Sequence, residues 1–240
     1  MRVDEKKCLG CGICVKFCPM DSIWMQNSHA YIDEDECVDC GACLKSARCP
    51  SDAIFMPPEC FEYPRVLRMQ FSDVCVKHPK QTTAGRGTEE AKTNDVTGKF
   101  KRGEFGLILE FGRPCVGVRF AEVEKITIAV EKMELEILED NPFYNLLEEG
   151  GKGRFKKECL NEKILSTILE LRIPSEERLF AVLEEIIPQI NALDTLVSVG
   201  VITRFDEDGS LGIKDRLEER GIPVRPNAKI NVGLGRPLIS

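Results

Sequence analysis

No apolar run in the 240-residue chain approaches the ~18–20 residues that a bilayer-spanning helix needs. The stretch from Met1 to Lys7 has no apolar core either and runs straight into a cysteine motif. A secretory leader is therefore not expected, and a reducing cytoplasm is. Histidine is scarce. The two present, His29 and His78, fall in a hairpin connection and directly before Pro79, and neither is placed as a catalyst. There is no nucleophile–base pair, no P-loop and no C-x3-C-x2-C spacing, and Gly233-Leu-Gly235 alone is a weak trace of a dinucleotide fingerprint. A net charge of −7 argues against general nucleic-acid binding, which rests on clustered Lys and Arg. With 42% hydrophobic and 30% charged residues, the composition is that of an ordinary water-soluble globular chain, long enough for two small domains.

Cysteine is plentiful, and its placement is informative. Eight of the twelve cysteines lie in two clusters near the start. Twelve cysteines in a small exported chain would suggest disulfides, but here clustering and the expected compartment favour metal ligation. The clusters belong to an internal repeat. Val3-Asp4-Glu5 precedes Cys8 as Ile32-Asp33-Glu34 precedes Cys37, and Cys8-Leu-Gly-Cys11-Gly-Ile-Cys14 matches Cys37-Val-Asp-Cys40-Gly-Ala-Cys43. Cys18-Pro19-Met20-Asp21-Ser22-Ile23-Trp24-Met25 then matches Cys49-Pro50-Ser51-Asp52-Ala53-Ile54-Phe55-Met56. Three thiolates from one tight loop can cover three iron corners of a cubane, and a remote thiolate must reach the fourth. Gly10, Gly12 and Gly41 let the loop wrap closely, and the proline after the last cysteine turns the chain away. Structural zinc is the plainer alternative, but zinc sites favour paired C-x2-C units across a longer spacer.

Three cysteines at i, i+3 and i+6 followed by Cys-Pro resemble the two-cluster bacterial ferredoxins over residues 1–60. In that family the fourth cysteine ligates the other cluster. The resemblance thus implies two [4Fe–4S] clusters, the first held by Cys8, Cys11, Cys14 and Cys49 and the second by Cys37, Cys40, Cys43 and Cys18. An apolar shell of Val3, Ile13, Phe17, Ile23, Trp24, Ile32, Ile54 and Phe55 is expected to keep water off them. The second repeat departs from the pattern, with five residues, Leu44 to Arg48, before its last cysteine instead of three. These are expected to bulge beside the first cluster and to bring Lys45 or Arg48 near it. Cubanes also suggest an anaerobic setting.

Cys60, Cys75, Cys115 and Cys159 lack ligand spacing and read as buried small hydrophobes. Residues 61–103 read as a linker, with a polar Gly/Thr/Lys loop from about residue 77 to 104 that includes Gly85-Arg86-Gly87-Thr88 and Lys92-Thr93-Asn94-Asp95. Residues 104–240 carry regular patterns. Phe105 to Phe111 alternate as a strand, and Phe120 to Met133 have helical spacing. Leu135 to Leu138 read as a second strand and Leu165 to Ile173 as a third. Ser175 caps a helix running to Leu193, and Val197 to Phe205 form a fourth strand. The order is that of a βαββαβ ferredoxin-like plait, without a cluster of its own, followed by a short helix at Ile213 to Arg220 and a basic tail with no acidic residue from Gly221 onward. The expected fold class is α+β, a two-cluster ferredoxin domain followed by that plait. The expected role is a non-catalytic electron-transfer subunit that docks a larger oxidoreductase, such as a flavoprotein. A redox-linked small-ligand sensor and a small reductase acting alone are the alternatives.

Overall fold

The computed structural model describes residues 1–78, 98–113 and 116–225. The segments Gly85–Thr88 and Lys92–Asp95, Cys115 and the basic tail from residue 226 lie outside the described residues.

The repeat folds as a pair of interlocked halves. β1 (Arg2–Val3) pairs antiparallel with β4 (Ile54–Phe55), which ties the start of the first unit to the end of the second. β2 (Ile23–Gln26) and β3 (His29–Ile32) form a hairpin in which Ile23 faces Ile32. A 3-10 turn, Ile13–Phe17, and one turn of helix, α1 (Ala42–Lys45), carry the third cysteine of each run. Ile23, Ile32, Ile54 and Ala30 pack with Cys14, Cys37 and Cys43 into one small core.

The expected linker does not behave as one where it is described. α2 (Val66–Ser72) sends Leu67 and Phe71 into the larger, second core, with the Phe71 ring edge-on to Phe120 at 5.3 Å. His78 is buried beside Phe71. Cys60 and Cys159 are buried as expected, whereas Cys75 is exposed in the turn after α2, its N–H donating to Asp73.

In the second half, β5 (Phe105–Phe111) is the middle strand of three. β6 (Val118–Arg119) leads into α3 (Phe120–Lys132) and pairs with β7 (Lys163–Ile164), which precedes β8 (Thr167–Ile173). α4 (Glu176–Asn191) begins at Ser175, whose Oγ accepts the Arg178 N–H at 3.2 Å as a side-chain cap. β9 (Val197–Ile202) and α5 (Gly212–Glu219) follow. β5 pairs antiparallel with β8 on one side and β9 on the other. Phe105, Leu107, Leu109 and Phe111 alternate into the core with Leu169, Leu171 and Ile173, against Val123, Ile126 and Val130 of α3 and Leu179, Leu183 and Ile186 of α4.

The expected strand at residues 135–138 is not formed, so three strands pair where a plait has four. Leu135 and Ile137 are buried, so the alternation there correctly reported an inward face. Alternation carries no information about backbone pairing. That role passes to Asn141, whose side-chain amide donates to the Glu170 carbonyl at 3.1 Å and accepts the Glu170 N–H at 2.7 Å. One amide thus stands in for one residue of a neighbouring strand. Asn141→Ala leaves both buried backbone groups without this partner and is expected to cost about 1–3 kcal/mol in chemical denaturation. An unchanged unfolding midpoint would contradict the substitution of side chain for strand.

Candidate iron–sulfur centres

Both cysteine runs depend on a left-handed glycine. Gly12 (φ 68°) and Gly41 (φ 72°) precede the two short helical turns, and the same backbone conformation at equivalent positions places Cys14 and Cys43 alike.

Cys8, Cys11, Cys14 and Cys49 line a single recess of about 350 Å3, open mouth included, walled by Val3, Ala30, Ala47, Ala53 and Ile54. Cys49 comes from the other repeat. Burial raises its thiol, but the N–H groups of Ala53, Ser51 and Ile54 and the Ser51 hydroxyl outweigh this and hold it below the ordinary value. The Ala53 N–H lies 3.4 Å from Cys49 Sγ, and the Ala30 N–H lies 3.4 Å from Cys8 Sγ. Such donors favour thiolate and tune a bound centre.

Cys37, Cys40, Cys43 and Cys18 are the second expected group. Burial pushes the Cys43 thiol up to about 12, and the neighbouring charges of Cys37, Cys40 and Cys18 add to it. Burial likewise pushes Cys37 up to about 11, while Cys40 is raised by burial and by Cys18 and Asp73. Cys18 is thus among the charges that act on Cys40 and Cys43 of the other repeat. A bound metal would have to displace these protons. The quartet of thiols around the first recess suits a polynuclear cluster, in which each thiolate meets its own iron.

The surroundings differ. Cys11 is exposed, and Leu9 (72% exposed) and Ile13 (40%) flank it at the mouth of the first recess. Cys37 and Cys43 are buried. Half of the expected shell is buried or half-buried and half is exposed. Ile23, Ile32 and Ile54 are buried and Val3 is half-buried, but Ile13, Phe17, Trp24 and Phe55 are exposed. In β2 only Ile23 faces inward, and Trp24 stacks outside on Tyr31 at 4.8 Å. The longer spacer lies beside the first recess. It lends Ala47 to the first recess, while Lys45 turns to an ion pair with buried Asp73, beside Cys40 of the second group. Arg48 stays exposed next to Cys49.

Charged residues that sequence reasoning missed hold the second group against the rest of the chain. Asp39, fully buried, accepts from the Met1 amine at 2.5 Å and from Arg65 Nε at 3.0 Å. Arg68 forms an ion pair with Glu162 and donates to the carbonyls of Glu34 (2.6 Å) and Cys37 (2.9 Å). Glu36 pairs with Lys163 and with Arg119 (2.7 Å), and Arg119 also reaches the Asp35 carbonyl at 3.2 Å. Residues 34–37, which lead into the second cysteine run and include its first cysteine, are thus gripped by cations from α2, β6 and β7. The only hint in the sequence is the i, i+3 spacing of Arg65 and Arg68.

The grip has a pH dependence. The Lys163 hydrogen bond, then the charges of Lys163 and Arg119, hold the Glu36 carboxyl below its ordinary 4.5 despite the opposing effect of burial. A carboxylate with a depressed folded pKa contributes its stability fully above 4.5 and loses it as pH falls through the folded value. Glu36→Gln is therefore expected to flatten the acid limb of a profile of melting temperature against pH. An acid limb identical to that of the parent would contradict this role.

Residues 1–56 match the family model of the 4Fe-4S dicluster domain. No curated protein and no solved structure matches the chain. Among the described residues no helix is long and apolar enough to cross a membrane. With both cysteine runs, both Cys-Pro sequences and the matched domain falling together, residues 1–56 are a ferredoxin-type iron–sulfur segment.

Proposed function

We propose that this chain is a cytoplasmic electron-transfer subunit that carries two [4Fe–4S] clusters, one on Cys8, Cys11, Cys14 and Cys49 and one on Cys37, Cys40, Cys43 and Cys18. It passes single electrons to or from a larger oxidoreductase, such as a flavoprotein. The recess that gathers Cys49 with Cys8, Cys11 and Cys14 of the opposite repeat carries this reading. The dicluster match supports the iron–sulfur electron-transfer role itself. Clusters held there supply one-electron storage, and the chain's own residues set who can reach them. Cys11, Leu9 and Ile13 leave the first site open at the surface, whereas Cys37 and Cys43 of the second group are buried. Electrons therefore enter or leave by the first site. We read residues 104–225 as a plait short of one edge strand that serves to dock the partner.

An anaerobic pull-down of the full chain from its native cell tests the reading. Recovery of a flavin- or metal-containing oxidoreductase in stoichiometric amount supports it, and recovery of the cluster-loaded chain alone counts against a subunit role. One observation favours a second reading, a redox-linked sensor. A pocket of about 710 Å3, open mouth included, lies between Arg102, Arg204, Arg216, Glu176 and Asp206. A rise in melting temperature with a small charged metabolite would support that alternative.

A further inference from the structure

The outer edge of β9 is chemically unusual for an exposed strand. Natural edges are blunted by charge, proline or bulges, yet the nine residues from Thr195 to Thr203 contain no charge and no proline. Leu196 is 50% exposed and Val199 41%. Among the described residues β9 pairs with β5 alone.

The direction of its free hydrogen-bonding groups follows from the ladder. The Glu170 N–H and C=O both engage Asn141, so they point away from β5. Ile108, opposite Glu170, must then direct its own groups to β9, where it faces Gly200. The Leu196 carbonyl accepting the Gly112 N–H at 2.9 Å continues the same alternation. Gly200, Ser198 and Ile202 therefore serve the ladder with β5, and Val197, Val199 and Val201 present N–H and C=O to the outside.

The sequence of this edge is self-complementary about Val199. Reversed and laid antiparallel on itself, it sets Thr195 against Thr203, Leu196 against Ile202, Val197 against Val201, Ser198 against Gly200, and Val199 against its own copy. The next position outward sets Asp194 against Arg204, opposite charges with no ion pair elsewhere among the described residues. A two-fold interface requires that residue i meet j while j meets i, and matched β-branched and Thr–Thr pairs are the favourable cross-strand combinations.

We propose that β9 is the interface of a two-fold dimer of this chain, in which two copies pair antiparallel about Val199 and their three-stranded sheets join into one of six. The three outward valines supply about six backbone hydrogen bonds across the axis, and Asp194 of each copy meets Arg204 of the other. The Asp–Arg contacts fix register and exclude a parallel or slipped pairing.

Sedimentation of the cluster-loaded full chain under anaerobic conditions tests this. The parent chain is expected to sediment as a dimer. Val199→Pro removes an outward N–H without touching the ladder with β5 and is expected to give a monomer with unchanged circular dichroism and cluster absorption. Asp194→Arg is expected to raise the dimer dissociation constant about tenfold, and Asp194→Arg with Arg204→Asp to restore it. If Val199→Pro does not fold, the charge series decides. A monomeric parent chain, with the edge bare or covered by its own residues, overturns the proposal. So does a dimer indifferent to the charge series.

Discussion

Replacing Cys18 with alanine will strip iron from the site of Cys37, Cys40 and Cys43 and leave the site nearer in sequence intact. Cys18 follows the first run by only a few residues, but its thiol acts on Cys40 and Cys43, and Cys49 occupies the recess of Cys8, Cys11 and Cys14. Double substitutions separate crossed from local ligation by a wide margin. With crossed ligation, Cys18→Ala combined with Cys40→Ala damages one site twice and retains about half the iron. Cys18→Ala combined with Cys11→Ala damages both sites and loses nearly all of it. Ligation within each repeat reverses the two outcomes, so anaerobic iron analysis of the two double variants decides the matter.

Arg68→Met will destabilise the chain by about 3–5 kcal/mol, because it breaks a buried pair and abandons one charge. The Arg68 and Glu162 side chains are only 8% and 12% exposed. The same guanidinium also donates to the Glu34 and Cys37 carbonyls, which lose their donor with it. Since the second group forms directly after these carbonyls, the variant should lose iron from that site more readily than from the first. Arg68→Met with Glu162→Leu removes both charges and should recover much of the stability, as buried pairs often tolerate apolar replacement. A single-variant loss below about 1 kcal/mol in chemical denaturation would show that the ion pair is not part of the join between the halves.

The iron–sulfur segment was legible in the sequence for a physical reason. Cluster ligation demands fixed cysteine spacing, left-handed glycines and a following proline, and these are local features that a repeat prints twice. Phe105 to Phe111, Phe120 to Lys132 and the Ser175-capped helix were legible because each buries one face of a regular period. Residues 135–138 have the period but not the partner, since hydropathy reports burial and is silent on who accepts the hydrogen bonds. α2 is only seven residues long, too short for a period to stand out, and its third residue is an arginine buried by distant partners. The shell was misjudged at Ile13, Phe17, Trp24 and Phe55 because a segment with so small a core cannot cover every apolar side chain it carries.

Metal and sulfide analysis of the anaerobically purified chain, joined to an electron paramagnetic resonance titration, bears most directly on the reading as a two-cluster electron carrier. Two cubanes require about eight irons and about eight sulfides per chain, with two one-electron reductions and spectral coupling between the reduced centres. One equivalent of zinc, or iron in amounts sufficient for a single centre with no second reduction, would contradict it.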